Sequence, residues 1–340
     1  MGNNKLFATN LIVVILICYV NSTISHDDNK ESEALLSVGF YEKSCPNVES
    51  IIQEVVWKAV LNDSGIAASL IRLHFHDCFV KGCDASILLD KTPSGKRIEK
   101  TSPGNIGVRG FEVIDEAKTQ LEKACPDTVS CADIIAYAAR DAVTISGISH
   151  YDVPAGRRDG LESLESNVFG NLPLPSSNVG QMNDIFTKKR MDKSDIVTLL
   201  GAHSIGVAHC FLFDNEIHNF NATHQSNPKL NKLYAMVLRS ICPAPSSPKS
   251  NTDNVLPLNM FMGNKLSTLF YNNVVGGRVV IPADQSLLDD EFTSEMVTNY
   301  VVKSWKWAND FRDAMIKLGK VDLLTGEQGQ IRKNCREINN

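Results

Sequence analysis

Several features that would place a chain of 340 residues in other classes are missing from this sequence. No dense run of Lys and Arg occurs, and the formal net charge is -5, which argues against a nucleic-acid partner. The apolar run LIVVILICYV at 11–20 is too short to span a bilayer. Internal repeats are absent, and strand signals are few. We therefore expect a helical globular protein with neither a nucleic-acid nor a membrane partner.

The amino-terminal residues have the pattern of a secretory signal. Lys5 supplies a positive start, the apolar run follows, and the small polar residues NSTIS come next at 21–25. This order predicts a signal peptide over 1–25, with an uncleaved anchor as the alternative. Two tripeptides, NDS at Asn62 and NAT at Asn221, would be glycosylation acceptors if exposed, although such short motifs also arise by chance.

Cysteine is scarce, but its number is informative. Nine cysteines occur, and Cys18 lies in the signal segment, which leaves eight. In a secreted chain, eight cysteines suggest four disulfides whose connectivity the spacing leaves open. Only Cys78–Cys83 is favoured by proximity, because a short loop can close it. No CxxC pair supports the alternative of metal-bound thiolates.

Helical periodicity dominates the remainder, with apolar residues recurring at every third or fourth position. The predicted helices lie at 49–63, 64–78, 111–125, 131–143 and 193–206, and two more within 293–319. A short β-hairpin is predicted at 276–288. Loops rich in Gly and Pro separate the helices at 87–110, 170–178 and 242–252. Loops of this length in a compact domain tend to be functional or tied by disulfides.

The segment RLHFHDCFVKGCDAS at 72–86 concentrates ionisable groups. On the predicted helix, Arg72, Phe75 and His76 fall within about a 100° arc, and His74 lies nearly opposite. A neighbouring guanidinium keeps an imidazole neutral, so His76 could serve as a base while Arg72 stabilises an oxyanion. A surface helix with scattered polar residues is the alternative, and the helix alone does not decide between them.

The second half of this segment is rich in oxygen ligands. Asp77, Asp84 and Ser86 carry side-chain oxygens, and the carbonyls of Val80 and Gly82 would face the same centre. Such ligands suit a hard cation, and calcium above all in a secreted protein. The spacing does not fit an EF-hand, and an Asx-turn network without metal is the alternative.

The segment LLGAHSIG at 199–206 places His203 among apolar and small residues at the end of a helix. A histidine in such a setting is more often a buried structural residue than a metal ligand. A ligand would need an acceptor for its second ring nitrogen. Asp284, in PADQSLL, is the candidate acceptor, although spacing alone does not prove the pairing.

Taken in order, these segments resemble the class III secretory plant peroxidases, a family of haem enzymes. The resemblance runs from about residue 39 to 335, includes eight matching cysteines, and rests on these stretches: FYEKSCPNVES, ASLIRLHFHDCFVKGCDASILLD, VSCADIIAYAARDAV, GRRDG, NLPLP, LLGAHSIGVAHC, ADQSLL and AMIKLGKVDLLTGEQGQIRKNC. It implies an all-α fold of two lobes with haem b between them, at most a short β-hairpin, and four disulfides. The domain would occupy 39–340, after a leader at 26–38.

The resemblance also implies roles for single residues. His203 would be the axial ligand of the haem iron, and Asp284 would accept its other N–H. On the opposite, distal side, His76 would be the base, Arg72 the charge stabiliser and Phe75 a wall of the peroxide pocket.

The supporting residues follow from the same resemblance. Asn105 would hold the Nδ1–H of His76, and Glu99 would connect this network to a distal calcium. Pro173 would lie at the exposed haem edge where donors bind. The implied calcium ligands are Asp77, Val80, Gly82, Asp84 and Ser86. The implied disulfides are Cys45–Cys125, Cys78–Cys83, Cys131–Cys335 and Cys210–Cys242.

The sequence departs from the family at a second, proximal calcium site. Its first ligand would be Ser204, and the others come from a pattern D-x-x-T-P-x-x-F-D-N-x-Y-Y. The aligned stretch NMFMGNKLSTLFY at 259–271 has Asn259, Met262 and Ser267 where the pattern has Asp, Thr and Asp. Because a dication loses most of its charge compensation there, we expect proximal calcium to be weak or absent.

The activity that the resemblance implies is reduction of hydrogen peroxide to water, coupled to one-electron oxidation of small phenolic donors. We expect a secreted monomer of the extracellular space or cell wall, with the vacuole as the alternative location. Two other functions compete: a peroxidase-fold binding or structural protein of the wall with little turnover, and a secreted hydrolase or metalloprotein without haem. The residues that argue against the wall protein are all intact: Arg72, His76, Asn105, His203 and Asp284.

Overall fold

A computed structural model describes residues 35–247, 254–260 and 263–340. The predicted signal at 1–25 and Met262 lie outside these residues. The described residues form twelve α-helices: α1 Val48–Asn62, α2 Ile66–Val80, α3 Phe111–Ala124, α4 Cys131–Ile145, α5 Val179–Lys188, α6 Lys193–Leu200, α7 Asp214–Ile217, α8 Lys232–Ile241, α9 Leu269–Val275, α10 Pro282–Ser286, α11 Glu291–Val302 and α12 Ser304–Leu318. The predicted helices are therefore present with shifts of a few residues at their ends, except that the one predicted at 193–206 ends at Leu200 and is followed by the 3-10 turn Gly201–Ser204.

The first lobe consists of α1–α4, packed around α4. The Ser130 hydroxyl caps this helix by accepting the backbone N–H of Asp133, at 3.1 Å. Every residue from Cys131 to Val143 is buried, which fits a helix rich in alanine and aliphatic residues. Both α1 and α2 pack against α4, so α2 is held in the interior of the lobe.

The second lobe contains α5, α6, α9, α11 and α12. Its core is aromatic: the Tyr271 ring lies 5.0 Å from Tyr300 and 6.0 Å from Trp307, and Phe311 lies 5.4 Å from Trp307. The indole N–H of Trp307 donates to the Thr198 carbonyl at 3.1 Å. These contacts fix the end of α6, which leads directly into the short turn Gly201–Ser204 that contains the candidate axial histidine.

The hairpin predicted at 276–288 is wrong. The described residues contain one two-stranded antiparallel sheet, between β1 Val207–His209 and β2 Val255–Pro257. The apolar run at 279–281 is buried as an irregular segment, and α10 begins at Pro282. A strand there would have needed a pairing partner, whereas burial against the helices already satisfies its apolar side chains.

Four disulfides join the described chain, and they link the same pairs that the resemblance implies: Cys45–Cys125, Cys78–Cys83, Cys131–Cys335 and Cys210–Cys242. The third of these ties the carboxyl-terminal tail to the start of α4. The tail also bonds to the first lobe through its backbone, since Asp159 and Gln330 exchange two hydrogen bonds of 2.8 and 3.0 Å. The tail therefore belongs to the first lobe, although it follows the last helix of the second.

The surface of the described chain bears on two further expectations. Asn62 and Asn221 are both exposed, as glycosylation would require. Across residues 35–247, 254–260 and 263–340, no helix combines the length and apolarity needed to cross a membrane.

Candidate active site

Helix α2 is buried except along one stripe. Ala68, Arg72 and Phe75 are only half-buried, and their spacing of three to four residues places them on one helical face. The residues just after α6 lie opposite: a Cβ added to Gly206 would come within 3.2 Å of the Ala68 Cβ. His203, in the same turn as Gly206, is also half-buried. Two partly uncovered surfaces, one from each lobe, therefore border a common space.

On the α2 side, an arginine and an asparagine hold a histidine between them. Arg72 Nε donates to His76 Nε2 at 3.1 Å, and the Arg72 guanidinium also donates to the Ile106 carbonyl at 3.2 Å. His76 Nδ1 lies 2.7 Å from Asn105 Oδ1. Because an amide oxygen only accepts, Nδ1 carries the hydrogen and Nε2 is the basic nitrogen. The basic atom therefore faces Arg72 and the half-exposed stripe.

The protonation state of His76 follows from its surroundings. Burial and then the positive charge of Arg72 lower the pKa of His76 to about 3, and the hydrogen bond that His76 donates to Asn105 opposes this only in part. Burial also lowers the pKa of Arg72, to about 10, which leaves it charged at neutral pH. The pair therefore holds a neutral imidazole beside a permanent cation across the physiological range.

Asn105 owes its position to a short turn. The turn Pro103–Asn105 begins at Ser102, whose hydroxyl accepts the Gly104 N–H at 3.4 Å. The Asn105 amide nitrogen donates to the main-chain carbonyl of Glu99 at 2.8 Å. Glu99 therefore contacts this network through its backbone, which leaves its carboxylate free to face elsewhere.

Aromatic rings close the other side of the histidine. The Phe75 ring lies 5.9 Å from the His76 ring and 4.2 Å from Phe79. Phe186 of α5 completes the cluster, at 6.3 Å from Phe75 and 4.7 Å from Phe79. Phe186 was not predicted, because nothing in its own segment signals a contact with α2.

His74 takes no part in this arrangement. It is buried on the far side of α2, with its Nδ1 3.7 Å from Cys78 Sγ. Burial, together with the charge of Arg157, lowers the pKa of His74 to about 3. The structure therefore gives His74 the packing role of a neutral core histidine, as its helical phase predicts.

The loop after α2 gathers buried oxygens that lack partners. Asp77, Asp84, Ser86 and Glu99 are all buried. Asp77 Oδ1, Ser86 Oγ and both carboxylate oxygens of Glu99 have no hydrogen-bond partner. Buried polar atoms are normally paired, so these four oxygens indicate a missing positive partner.

The charges of this cluster point the same way. Burial and repulsion from Asp84 and Glu99 raise the pKa of Asp77 well above its usual value. Burial and Asp84 raise the pKa of Glu99 to about 8. The described residues contain no group of three or more His, Cys, Asp or Glu side chains placed to share one ion. A cation here would consequently need Ser86 and the backbone carbonyls of Val80 and Gly82 beside the carboxylates.

Backbone features outside the predicted set shape this loop. Gly82 has φ +108°, and a Cβ there would collide with the carbonyl of Asp322 in the tail. Ala85 has the left-handed φ of 58° and its carbonyl accepts from Arg332 Nη2 at 2.6 Å. Arg332 is fully buried. Its role escaped prediction because it depends on the tail folding back onto the first lobe.

On the opposite side, His203 is anchored by an aspartate from a distant helix. His203 Nδ1 lies 2.9 Å from Asp284 Oδ1, and Asp284 is buried on α10. The His203 side chain is 34% exposed, and its Nε2 makes no hydrogen bond to a described residue. Burial alone would lower the pKa of His203, but the charge and hydrogen bond of Asp284 raise it above its usual value. The positive charge of Arg72 opposes this rise in the pKa of His203.

Pro173 lies half-buried in the loop between the lobes. The loop contacts the Asn105 turn, since a Cβ on Gly104 would meet the Leu172 side chain at 3.7 Å. It also contacts the helix of Asp284, because the Pro175 carbonyl accepts the Ala283 N–H at 2.9 Å. The candidate donor residue is therefore next to both sides of the space.

Comparison with known proteins agrees with this geometry. A family model described as Peroxidase matches residues 52–303. Peroxidase 5 of Vitis vinifera is 47% identical over 310 residues, covering 91% of this chain and 93% of that protein. Peroxidase 66 of Arabidopsis thaliana is 42% identical, covering 91% and 94%. Peroxidase 36 of Arabidopsis thaliana is 37% identical, covering 100% and 97%.

These relatives span nearly the whole of their own length and of this chain. Residues 52–303, which the family model matches, include every residue of the candidate site except the carboxyl-terminal tail that supports the loop after α2. The chain belongs to the peroxidase family and has the activity of that family.

Proposed function

We propose that the chain is a secreted haem peroxidase that reduces hydrogen peroxide at the expense of small phenolic donors. In the balanced reaction, peroxide takes up two electrons and two protons and yields two molecules of water. Each of two phenols supplies one electron and one proton. The single observation that carries this proposal is the opposition of two differently equipped histidines, His76 with Arg72 on one side and His203 with Asp284 on the other.

The residues bordering the space suit a haem. His203 has one nitrogen fixed by a buried carboxylate and the other unengaged, as an axial ligand requires. The half-exposed stripe of Ala68 and Phe75 offers apolar surface to a flat macrocycle. When bound, haem would supply the iron chemistry that accepts and stores oxidising equivalents. His203, oriented by Asp284, would be the residue that holds it on the side of the second lobe.

The chain itself would manage the protons. Neutral His76 accepts a proton at Nε2 from one peroxide oxygen and returns it to the other, which departs as water. Asn105 keeps Nδ1 as the donor, so the accepting atom stays Nε2. Arg72 stabilises the negative charge that develops as the O–O bond lengthens. Phe75 excludes larger molecules from this side.

We also propose that the loop after α2 binds one calcium. The ligands would be Asp77, Asp84 and Ser86 with the carbonyls of Val80 and Gly82, and Glu99 would add negative charge nearby. Support comes from the buried oxygens without partners, which an ion of this kind would satisfy. Since Asp77 follows His76 directly, the ion would fix the end of the helix that orients the base.

The remaining features concern donors and location. Pro173 would border the donor site, with phenols approaching an exposed haem edge. The signal pattern at 1–25 supports secretion to the extracellular space or cell wall, with the vacuole as the alternative, and we propose that the enzyme acts as a monomer without a nucleic-acid or membrane partner. A wall protein with little turnover is disfavoured, because the relatives are named peroxidases and the site retains Arg72, His76 and His203.

One experiment tests the proposal. The full chain, expressed with haem, should show a Soret band and oxidise guaiacol only when peroxide is added. The variant His203→Ala should lose the haem, whereas His224→Ala, at an exposed histidine, should keep both band and turnover. A folded wild-type chain that takes up no haem would refute the proposal. Haem uptake without turnover would favour the wall protein.

A further inference from the structure

The segment that should supply a proximal calcium contains no acidic side chain. From Asn254 to Val275, the sequence has no Asp and no Glu, and its only charged residue is Lys265. The side-chain oxygens at the aligned ligand positions among the described residues come from Asn259 and Ser267, which are neutral. By contrast, the loop after α2 contributes two buried aspartates and has Glu99 beside them.

The first expected ligand is already engaged within the protein. The Ser204 hydroxyl donates to the Gly201 carbonyl at 2.8 Å and accepts the Ser267 backbone N–H at 3.1 Å. Ser204 is fully buried. An N–H directed at this oxygen occupies one lone pair and brings positive charge to the place that a cation would need.

Backbone hydrogen bonds hold the neighbouring segment without an ion. The Leu258 N–H donates to the Gly206 carbonyl at 3.0 Å, and the Leu266 N–H donates to the Ser146 carbonyl at 2.9 Å. Both bonds are made by residues that precede Ser267 in the chain, and Leu266 is its direct neighbour. The described parts of this segment are therefore attached to the His203 turn and to α4 by protein contacts alone.

The Ser267 hydroxyl could favour an ion. Its oxygen is buried and has no hydrogen-bond partner. Calcium in proteins takes six to eight oxygens and needs carboxylates to balance its charge. One neutral hydroxyl with one neutral amide supplies neither the number nor the charge, and a water satisfies such an oxygen equally well.

We infer that the proximal site does not bind calcium and that the relay from Ser267 N–H through the Ser204 hydroxyl to the Gly201 carbonyl replaces it. This inference rests on the proposed function only in one respect: membership of a family with a distal and a proximal calcium site is what raises the question of the second site. The relay fixes the turn that carries His203, so the geometry of the axial histidine is independent of calcium. Calcium dependence is confined to the first lobe.

Calcium content is the direct test. The haem-loaded protein, equilibrated with calcium and desalted, should contain one calcium per iron, and Asp77→Asn should contain none. Two calcium ions per iron would overturn the inference, as would one ion that persists in Asp77→Asn. A wild-type content of zero would agree with the inference and would refute the distal calcium proposal instead.

A second test separates a relay from a ligand. Ser204→Ala removes both hydrogen bonds of the relay and should lower the thermal midpoint by about 2–4 °C, equally in calcium and in EGTA. Ser267→Ala is the matched control, because it removes the unpartnered hydroxyl and keeps the backbone N–H. If Ser204→Ala lowered the thermal midpoint in calcium but not in EGTA, Ser204 would be a calcium ligand and the inference would be contradicted. If Ser204→Ala does not fold, the calcium content still decides.

Discussion

The two lobes hold their functional histidines in different ways. In the first lobe, His76 precedes a loop of buried carboxylates, and three of the four disulfides lie there or tie the tail to it. In the second lobe, His203 is held by Asp284 and by hydrogen bonds of Ser204, and the remaining disulfide is Cys210–Cys242. The first arrangement leaves buried carboxylate oxygens without partners, whereas in the second the Asp284 carboxylate is paired with His203.

This difference teaches how each side would respond to its surroundings. Charge repulsion among Asp77, Asp84 and Glu99 makes the first lobe sensitive to ion supply. The Asp284 carboxylate already has the His203 Nδ1–H as its partner, so the second lobe should be insensitive to ion supply. The predictions below test this contrast, from the largest expected effect to the smallest.

The base in the first lobe should matter most for peroxide. His76→Leu should slow the reaction with peroxide by about 10²–10⁴-fold, the range for loss of a general acid–base group. Haem content should be unchanged, because the axial side is untouched. Stopped-flow kinetics measure this. His74→Gln, two residues away on the opposite face of α2, is the matched control and should retain the wild-type rate; equal losses in both variants would contradict the assignment.

Calcium removal should affect one lobe only. Chelation with EGTA should destabilise the haem-loaded protein by about 2.7 kcal/mol relative to a calcium concentration one hundred times the Kd. The peroxide rate should fall, since the end of α2 loosens. Thermal denaturation and kinetics measure both, and resonance Raman should find the iron–histidine stretch unchanged. A shift of that stretch on chelation would break the contrast between the lobes.

In the second lobe, the hydrogen bond between Asp284 and His203 should matter most. Asp284→Asn should lower haem affinity or turnover by about 10–100-fold, because the partner of a metal-bound histidine sets its basicity. The reduction potential of the iron should rise as the histidine donates less charge. Asp289→Asn removes an exposed carboxylate five residues further on and is the control. An unchanged potential in Asp284→Asn would show that the pairing does not tune the iron.

The pH dependence of the reaction with peroxide should reveal the effect of Arg72 on the pKa of His76. With the pKa of His76 near 3, wild-type peroxide reactivity should be flat from pH 4 to 8, because the imidazole stays neutral throughout. In Arg72→Gln, one of the two lowering causes is gone, so the pKa rises and the acid limb should enter this window. Arg97→Gln, at an exposed arginine, should keep the wild-type profile. A wild-type acid limb near pH 6.5 would refute the lowered pKa.

Backbone strain should give the smallest effect. Ala85 adopts the left-handed region, which costs about 1–2 kcal/mol for a residue with a Cβ. Ala85→Gly should raise the free energy of unfolding by about 0.5–1 kcal/mol, because the relieved strain exceeds the additional entropy that glycine loses on folding. Ala59→Gly, within α1, should instead lower it by about 1 kcal/mol. Urea denaturation in excess calcium compares the two; a loss of stability in Ala85→Gly would show that Arg332 does not hold a strained turn.

The sequence predicted most of the fold because local signals determine it. Apolar periodicity identified the major helices, and residues 72–86 contain a base, its arginine and a cation loop within one continuous stretch. The hairpin at 276–288 failed because burial, rather than strand pairing, accommodates its apolar run. The true sheet was missed because each strand is three residues long, and β2 ends at Pro257.

Contacts between distant segments could not be read from patterns. Arg332 lies 247 residues from Ala85, and Phe186 reaches α2 from another lobe. The Asp284–His203 pair spans 81 residues; the sequence offered Asp284 as a candidate acceptor, but only the family resemblance implied the pairing. Such pairs form only when the helices pack together. The residues next to each partner in the sequence therefore contain no sign of the contact.

If phenols bind beside Pro173 as proposed, the contacts of its loop limit which donors the enzyme can evolve to use. Its Leu172 end abuts the turn of Asn105, and its Pro175 end bonds to the helix of Asp284. A substitution that reshapes this loop for a bulkier phenol therefore disturbs the supports of both histidines together. Donor preference is free to diversify only where a side chain makes neither contact, as at the exposed Leu174.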